Sequence, residues 1–384
     1  MALDSKLPHI GTTIFTVMSR MASEEGAINL SQGFPGFGAD PILLELVGKY
    51  TRDGFNQYSP MSGVPLLRER LAEKTRLTQR YSPDPEKEVT IVSGATEAIF
   101  AALTAVVRRG DQVIVLEPAY DSYEPAITLN GGIPVYVTLD SRDFSVDWDR
   151  VRAAITPKTR AIVINSPHNP SGYVWSEEDV RQLASLIRDR EIYVVSDEVY
   201  EHITFDGRKH ISLGANPELG ERTFVCGSFG KTFHVTGWKI GYCIAPPELT
   251  REFQKVHQYL TFSTVTPIQH ALAEYLELPD RYLSIPDFYQ KKRDLFAAGL
   301  ADTPFTIIPS SGSFFQLASY GHLSQVGDTA LAERMTRQLK VACIPISVFY
   351  SDNRDDKILR FCFAKDSSEL LSGLDRLMRI GDIL

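Results

Sequence analysis

From Val89 to Ile244 the chain repeats one rhythm: a short apolar run, a polar turn, then a longer stretch with helical spacing. The apolar runs fall at Val89 to Val92, Gln112 to Leu116, Pro134 to Val137, Ala161 to Ile164, Ile192 to Val195, Thr223 to Cys226 and Ile240 to Ile244. They are mostly continuous rather than alternating, which suits strands buried on both faces, and segments such as Ala95 to Arg108 between them read as helices. The pattern predicts an α/β fold built on a seven-stranded, largely parallel sheet with helices on both faces.

The flanking pattern differs. A short helix is expected from about Thr13 to Ser23, followed by Ile28-Asn29-Leu30 and the Gly/Pro cluster Ser31 to Gly38. Helical spacing resumes at Pro41, and Tyr58 falls on an irregular segment before another amphipathic helix. After Tyr242 the pattern is mostly helical from Leu249 to Glu277, breaks at the proline-bearing Leu278 to Phe288, and is helical again from Tyr289 to Ala301. Strand-like runs at Phe305 to Ile308, Phe314 to Leu317 and Leu359 to Phe363 alternate with helical stretches at Thr329 to Leu339 and Ser368 to Arg379. This reads as a smaller α+β domain: residues 1–44 as its N-terminal segment, 45–285 as the large domain and 286–384 as its C-terminal part.

Composition narrows the function. The 384 residues are 43% hydrophobic and 23% charged, ordinary for a soluble globular chain. A net charge of -8 without any Lys/Arg-rich run disfavours nucleic acid or an anionic membrane as partner and favours small molecules. Cys226, Cys243, Cys343 and Cys362 form no CxxC pair, so they read as buried thiols in a reducing compartment, with no metal implied. The N-terminal residues lack an apolar signal core and no run of about 18 apolar residues occurs, so a cytoplasmic protein is expected.

In parallel sheets ligands bind beyond the carboxyl ends of the strands, and five of these ends carry polar residues: Ser93 to Thr96, Pro118 to Tyr120, Asn165 to Asn169, Asp197 to Tyr200 and Ser228 to Lys231. Lys231 is the sharpest candidate. A lysine just past a buried strand has a desolvated amine, which lowers its pKa and suits it to Schiff-base chemistry. Gly230-Lys231-Thr232 also ends like a phosphate-binding P-loop, but that motif needs glycine at position 225, which is Val225. Alone, Lys231 would read as a surface lysine and an Asp at a strand end as a turn former. Five polar ends facing one crevice are harder to explain that way.

Nine segments then carry a resemblance in order: NLSQGFP, NQYSP, VSGATEA, EPAYDSYEP, NSPHNPSG, SDEVYEH, SFGKTFHVTGWKIGY, VHQYLTFS and LRFCFAK. From about Ile28 to the C-terminus the chain resembles the fold-type I, pyridoxal-phosphate-dependent aminotransferases, in the methionine, kynurenine and glutamine-phenylpyruvate branch. The resemblance implies pyridoxal 5'-phosphate as cofactor, with Lys231 as its Schiff-base lysine and proton carrier, and Asp197 as the partner of the pyridine nitrogen. Asn169 and Tyr200 would donate to the ring's phenolic oxygen and Tyr120 would stack on the ring. It assigns the phosphate to Ala95, Thr96, Ser228 and Lys239, together with Tyr58 from the neighbouring subunit, and so implies a homodimer with shared sites. Lys239 stands where the wider class usually has arginine, trading a fork for a point charge. Arg360, as the substrate carboxylate's fork, and Gly33 and Asn169 complete the substrate contacts.

Amino acid and 2-oxo acid would then be the substrates of a ping-pong transfer. No cation occurs in Leu260 to Thr266, where dicarboxylate-specific relatives place an arginine, and the neighbouring Ile14, Phe15, Phe34, Tyr58 and Phe262 are apolar or aromatic. Methionine, aromatic and other neutral donors are therefore expected. A carbon–sulfur β-lyase on the same scaffold is the alternative chemistry. A non-catalytic regulatory module is disfavoured by the intact lysine and the lack of a DNA-binding extension.

Overall fold

The computed structural model describes residues 4–384. Its strands run in chain order as β1 (Ile28–Asn29), β2 (Val89–Val92), β3 (Gln112–Glu117), β4 (Ile133–Thr138), β5 (Thr159–Asn165), β6 (Tyr193–Asp197), β7 (Thr223–Ser228), β8 (Gly241–Ile244), β9 (Thr306–Ile308), β10 (Phe315–Ser319), β11 (Val341–Ala342), β12 (Ile344–Pro345) and β13 (Ile358–Cys362). Strands β2 to β8 form the seven-stranded sheet in the order β2-β8-β7-β6-β5-β3-β4.

Only β8 runs against its neighbours, pairing antiparallel with β2 and β7. Between β7 and β8 lie two single helical turns, Phe229–Thr232 and Thr236–Trp238, too little chain for a crossover that would return the strand parallel. The parallel register puts Asn165 opposite Asp197 and Asp197 opposite Cys226, so β5, β6 and β7 end in one row. That row is the floor of the cleft described below.

A second sheet, β12-β13-β10-β9, is antiparallel, and Arg360 lies in its middle, opposite Leu317 and Ile344. The N-terminal segment joins this half of the molecule through β1, which pairs parallel with β11. One apolar cluster runs without interruption from Ile114, Ile162 and Val194 under the large sheet to Phe314, Leu317 and Phe361 of the small one. Packing across both sheets fixes how the second presents its residues to the first.

Differences from the sequence pattern are local. The break expected at Leu278 to Phe288 contains the short helix Asp280–Leu283 and the start of Ile285–Ala301, because Pro286 sits in a first turn, where a missing N–H is not needed. The helical stretch from Leu249 to Glu277 is two helices, Pro247–Leu260 and Thr266–Tyr275, parted by a bend at Phe262, whose φ is +65°. The stretch Thr329 to Leu339 begins as an α-helix at Asp328 and ends in the wider turn Met335–Leu339. Strands β11 and β12, two residues each, are too short to leave a pattern.

Gly227 shows how tightly the floor is packed. It pairs with Tyr242 across β7 and β8, and a Cβ there would lie 2.0 Å from the Tyr242 ring. The Tyr242 hydroxyl donates to Glu201, which is paired with buried Lys74 at 2.6 Å. Gly227→Ala must push Tyr242 off this buried ion pair, at an expected cost of roughly 2–4 kcal/mol. Urea unfolding at unchanged m-value should show it, and a loss below ~0.5 kcal/mol would mean that the ring moves freely.

Candidate active site

Strand β7 delivers Lys231. Ser228 ends the strand and caps the single turn Phe229–Thr232, its hydroxyl accepting the Lys231 backbone N–H at 3.3 Å. The Lys231 side chain reaches back to the Gly/Pro cluster, where Nζ donates to the Gly33 carbonyl at 2.8 Å. Aromatic rings flank the amine, Tyr200 at 5.7 Å and Phe314 at 5.3 Å from Nζ to ring centroid. Burial lowers its pKa to about 8, and the nearby cations Arg360 and Lys239 push the same way.

Opposite, at the end of β6, stands the buried Asp197. Its Oδ2 accepts from the Tyr123 hydroxyl at 2.6 Å and its Oδ1 from the Val199 N–H at 3.3 Å. Burial raises its pKa to about 6, although both hydrogen bonds pull it down. The carboxylate has donors around it but no cation at salt-bridge distance among the described residues.

Arg360 comes from the small sheet and is fully buried. Nη1 donates to Asn169 Oδ1 at 2.7 Å and Nη2 to the Ser31 carbonyl at 3.0 Å, while Nε has no partner among the described residues. The guanidinium sits 3.9 Å from the Phe315 ring centroid, with Phe15 and Phe349 also close. Burial lowers its pKa to about 10, so it stays charged at neutral pH. A buried cation held by two neutral carbonyls and aromatic faces, with an N–H to spare, is suited to a carboxylate.

At the third corner, helix Ala95–Val106 begins directly after β2. Ala95 and Thr96 are its first residues, so their N–H groups have no partner inside the helix. Gly94, at φ +82°, lets Lys239 lie against this helix start: a Cβ at Gly94 would be 3.3 Å from Lys239 Nζ. Free N–H groups, a helix N-terminus and an ammonium, with the Ser228 hydroxyl beside them on the cleft wall, make an anion site.

These groups line one cleft of about 260 Å³, together with Gly33, Tyr120, Asn169, Tyr200 and Phe15. Four of the residues named from the sequence lie outside it: Ile14, which lines the groove beside it, and three aromatic residues. Tyr58 is 84% exposed, Phe262 44% and Phe34 43%, with Tyr58 and Phe262 in edge-to-face contact at 5.5 Å and Phe34 covered by Lys365 Nζ at 4.6 Å. Conversely, Tyr123, which holds Asp197, and Phe315, which backs Arg360, went unnoticed in the sequence. Tyr123 lies inside EPAYDSYEP, three residues after Tyr120, yet only the fold shows that its hydroxyl meets Asp197.

Residues 25–377 match the model of the family described as aminotransferase class I and II. The methionine aminotransferase of Escherichia coli (strain K12) is 48% identical over 377 residues, 98% of each chain. The kynurenine–oxoglutarate transaminase of Dictyostelium discoideum is 33% identical, covering 96% of this chain and 94% of its own. Among solved structures, that of YbdL from Escherichia coli, reported with a methionine aminotransferase function, superposes with a TM-score of 0.97 at 47% identity, over 99% of this chain and 100% of that one. With a lysine, a buried aspartate and a buried arginine meeting in its cleft, the chain belongs to the class I and II aminotransferases, a pyridoxal-phosphate-dependent family.

Proposed function

We propose that this enzyme moves the amino group of methionine and aromatic amino acids to a 2-oxo acid, as a cytoplasmic homodimer using pyridoxal 5'-phosphate held in the cleft. The observation that carries the reading is the set Lys231, Asp197 and Arg360: three buried or half-buried ionisable groups facing one space without charged partners of their own. The cofactor fits that set. Its phosphate suits the helix start at Ala95 and Thr96 with Ser228 and Lys239, its pyridine nitrogen suits the carboxylate raised by burial, and the unpaired Arg360 Nε awaits a substrate oxygen. When bound, pyridoxal phosphate supplies a carbonyl for the substrate amine and a pyridinium ring that draws electron density from the substrate's α carbon.

The chain's own residues do the rest. Lys231, with a pKa near 8, is neutral in about a tenth of molecules at pH 7, far more than an exposed lysine, and can take the proton from the α carbon and return it. Asp197 holds a proton at the pyridine nitrogen by charge pairing. Asn169 commits its Oδ1 to Arg360 and keeps its amide N–H groups, with the Tyr200 hydroxyl, as donors to the phenolic oxygen. Arg360 and the Gly33 backbone would orient the substrate carboxylate, and Tyr120 would cover the ring face. Phe15 forms part of the apolar wall on this chain. Phe34 lies outside that wall on a single chain, and Phe262 and Tyr58 of a second copy would complete the pocket, which is supported by the exposure of these two aromatic residues on a single chain. Four buried free thiols suit a reducing compartment. Among the described residues no helix is long and apolar enough to cross a membrane.

Donor preference tests the reading directly. With one common oxo acid, kcat/KM for methionine and phenylalanine should exceed that for aspartate by about 100-fold, since an unpaired second carboxylate in an apolar pocket costs a few kcal/mol. Aspartate equal to methionine would mean that a cation enters the pocket.

Lys231→Ala should bind pyridoxal phosphate without covalent attachment and lose transamination by roughly four orders of magnitude or more. In the wild type, borohydride should fix the cofactor to the peptide bearing Lys231; label on another lysine refutes the assignment.

Asp197→Asn separates function from stability. Because burial raises the folded pKa of Asp197 to about 6, its contribution is favourable below the unfolded value and is lost as pH rises through about 6. At pH 8 the ionised group therefore strains the cofactor-free fold by about 2–3 kcal/mol. The cofactor-free Asn variant should melt higher than wild type at pH 8, lose that advantage by pH 4, and turn over roughly 1000-fold slower with cofactor. A variant that melts lower at pH 8, or turns over normally, contradicts the role.

A further inference from the structure

Helix Pro247–Leu260 carries a fully buried histidine that the chemistry above does not use. His257 Nδ1 lies 2.6 Å from Glu97 Oε1, and Nε2 lies 3.0 Å from the Met61 carbonyl oxygen. A carbonyl can only accept. Burial would raise the Glu97 carboxyl, but hydrogen bonds from His257 and the Thr261 hydroxyl hold it below its ordinary value, so it too is an acceptor. Both ring nitrogens therefore face acceptors, and the ring bridges Glu97 to the Met61 carbonyl. A buried polar pair contributes modestly to net stability, so what it joins is the informative part.

It joins three pieces of chain. Glu97 lies in the first turn of the helix whose opening N–H groups form the anion site, and its Oε2 accepts the Ser93 N–H at 2.5 Å. Met61 follows the segment that bears Tyr58. The His257 carbonyl accepts the Phe262 N–H at 3.1 Å, and the Thr261 hydroxyl donates to Glu97. Ser59 and Ser263 close the gap between the two segments with a 2.8 Å hydrogen bond. Tyr58 and Phe262, the two exposed aromatic residues in edge-to-face contact, thus stand on backbone bolted to one histidine, while neither lines the cleft of its own chain.

We propose that the His257–Glu97 pair is a positioning element that acts across the subunit boundary: by tying Met61 and Thr261 to the start of the anion-binding helix, it aims Tyr58 and Phe262 into the cleft of a second copy of this chain. The proposal rests on the shared-site homodimer proposed above. Its consequence is directional. Loss of His257 should damage the site in the partner, not the one in the chain that carries the change.

Two hybrid dimers read that direction, each with Lys231→Ala in one subunit so that a single cleft works. His257→Asn keeps a donor near Glu97 and releases the Met61 carbonyl. Placed on the Lys231→Ala subunit opposite a wild-type subunit, it misaims the aromatic pair into the working cleft, and KM for phenylalanine should rise about five- to tenfold with kcat within about twofold. Placed instead on the subunit that keeps Lys231, it leaves the working cleft supplied by native aromatic residues, and KM should stay within about twofold of wild type. Equal effects in the two hybrids, as a merely structural histidine would give, or the reverse order, overturn the proposal. Thr261→Val, which removes only the hydroxyl from Glu97, serves in the same two hybrids if the histidine variant does not fold. A wild-type protein that is monomeric by light scattering overturns the shared-site reading and this proposal with it, whereas a dimer whose hybrids behave alike overturns the proposal alone.

Discussion

The constraint on which the structure depends is the burial of charge without neutralisation. Lys231, Asp197 and Arg360 are drawn out of water into one cleft, and each is held by dipoles and aromatic faces rather than by an opposite charge at contact distance. Desolvation moves all three pKa values toward neutrality, Lys231 to about 8, Asp197 to about 6 and Arg360 to about 10. Left alone, such groups cost the fold free energy. A ligand that brings a protonatable ring nitrogen and a carboxylate would remove part of that cost.

Holding the three groups in place requires two sheets that cannot drift. The parallel register ends β5, β6 and β7 in one row, and Gly227 leaves just enough room for Tyr242 to seal the layer beneath. Arg360 arrives from the other sheet, whose apolar face is continuous with the core of the first. Further ties cross between them: Ala119 N–H donates to the Phe349 carbonyl at 2.8 Å, and Ser351 N–H to the buried Glu117 at 2.8 Å. These packed layers, with the Gly/Pro loop that accepts from both Lys231 and Arg360, bring amine and guanidinium to one cleft.

Among the described residues, large apolar side chains exposed on a single chain include Tyr58, Tyr259, Leu260, Phe262 and Val265, all on or beside the two segments that His257 anchors. A face of this kind costs free energy in water and gains it when covered.

Much of this was determined by the sequence. Short continuous apolar runs bounded by turns suit strands covered on both faces, so the seven-stranded sheet was legible from Val89 onward, and the rule that ligands sit beyond strand ends picked out Asp197, Asn169 and Lys231. Motif spacing carried the family and excluded a phosphate-binding P-loop at Val225. The sequence did not determine what depends on contacts between distant residues. Tyr123 reads as one more aromatic residue until the fold sets its hydroxyl 2.6 Å from Asp197, and His257 reads as a helix histidine until Glu97 and Met61 meet its two nitrogens. The two-residue strands β11 and β12 left no period to detect, and the antiparallel turn of β8 followed from a connection too short to cross over. Local pattern reports what a segment buries; only the packed chain decides which neighbour it is buried against, and charge, hydrogen bonding and pKa follow from the neighbour.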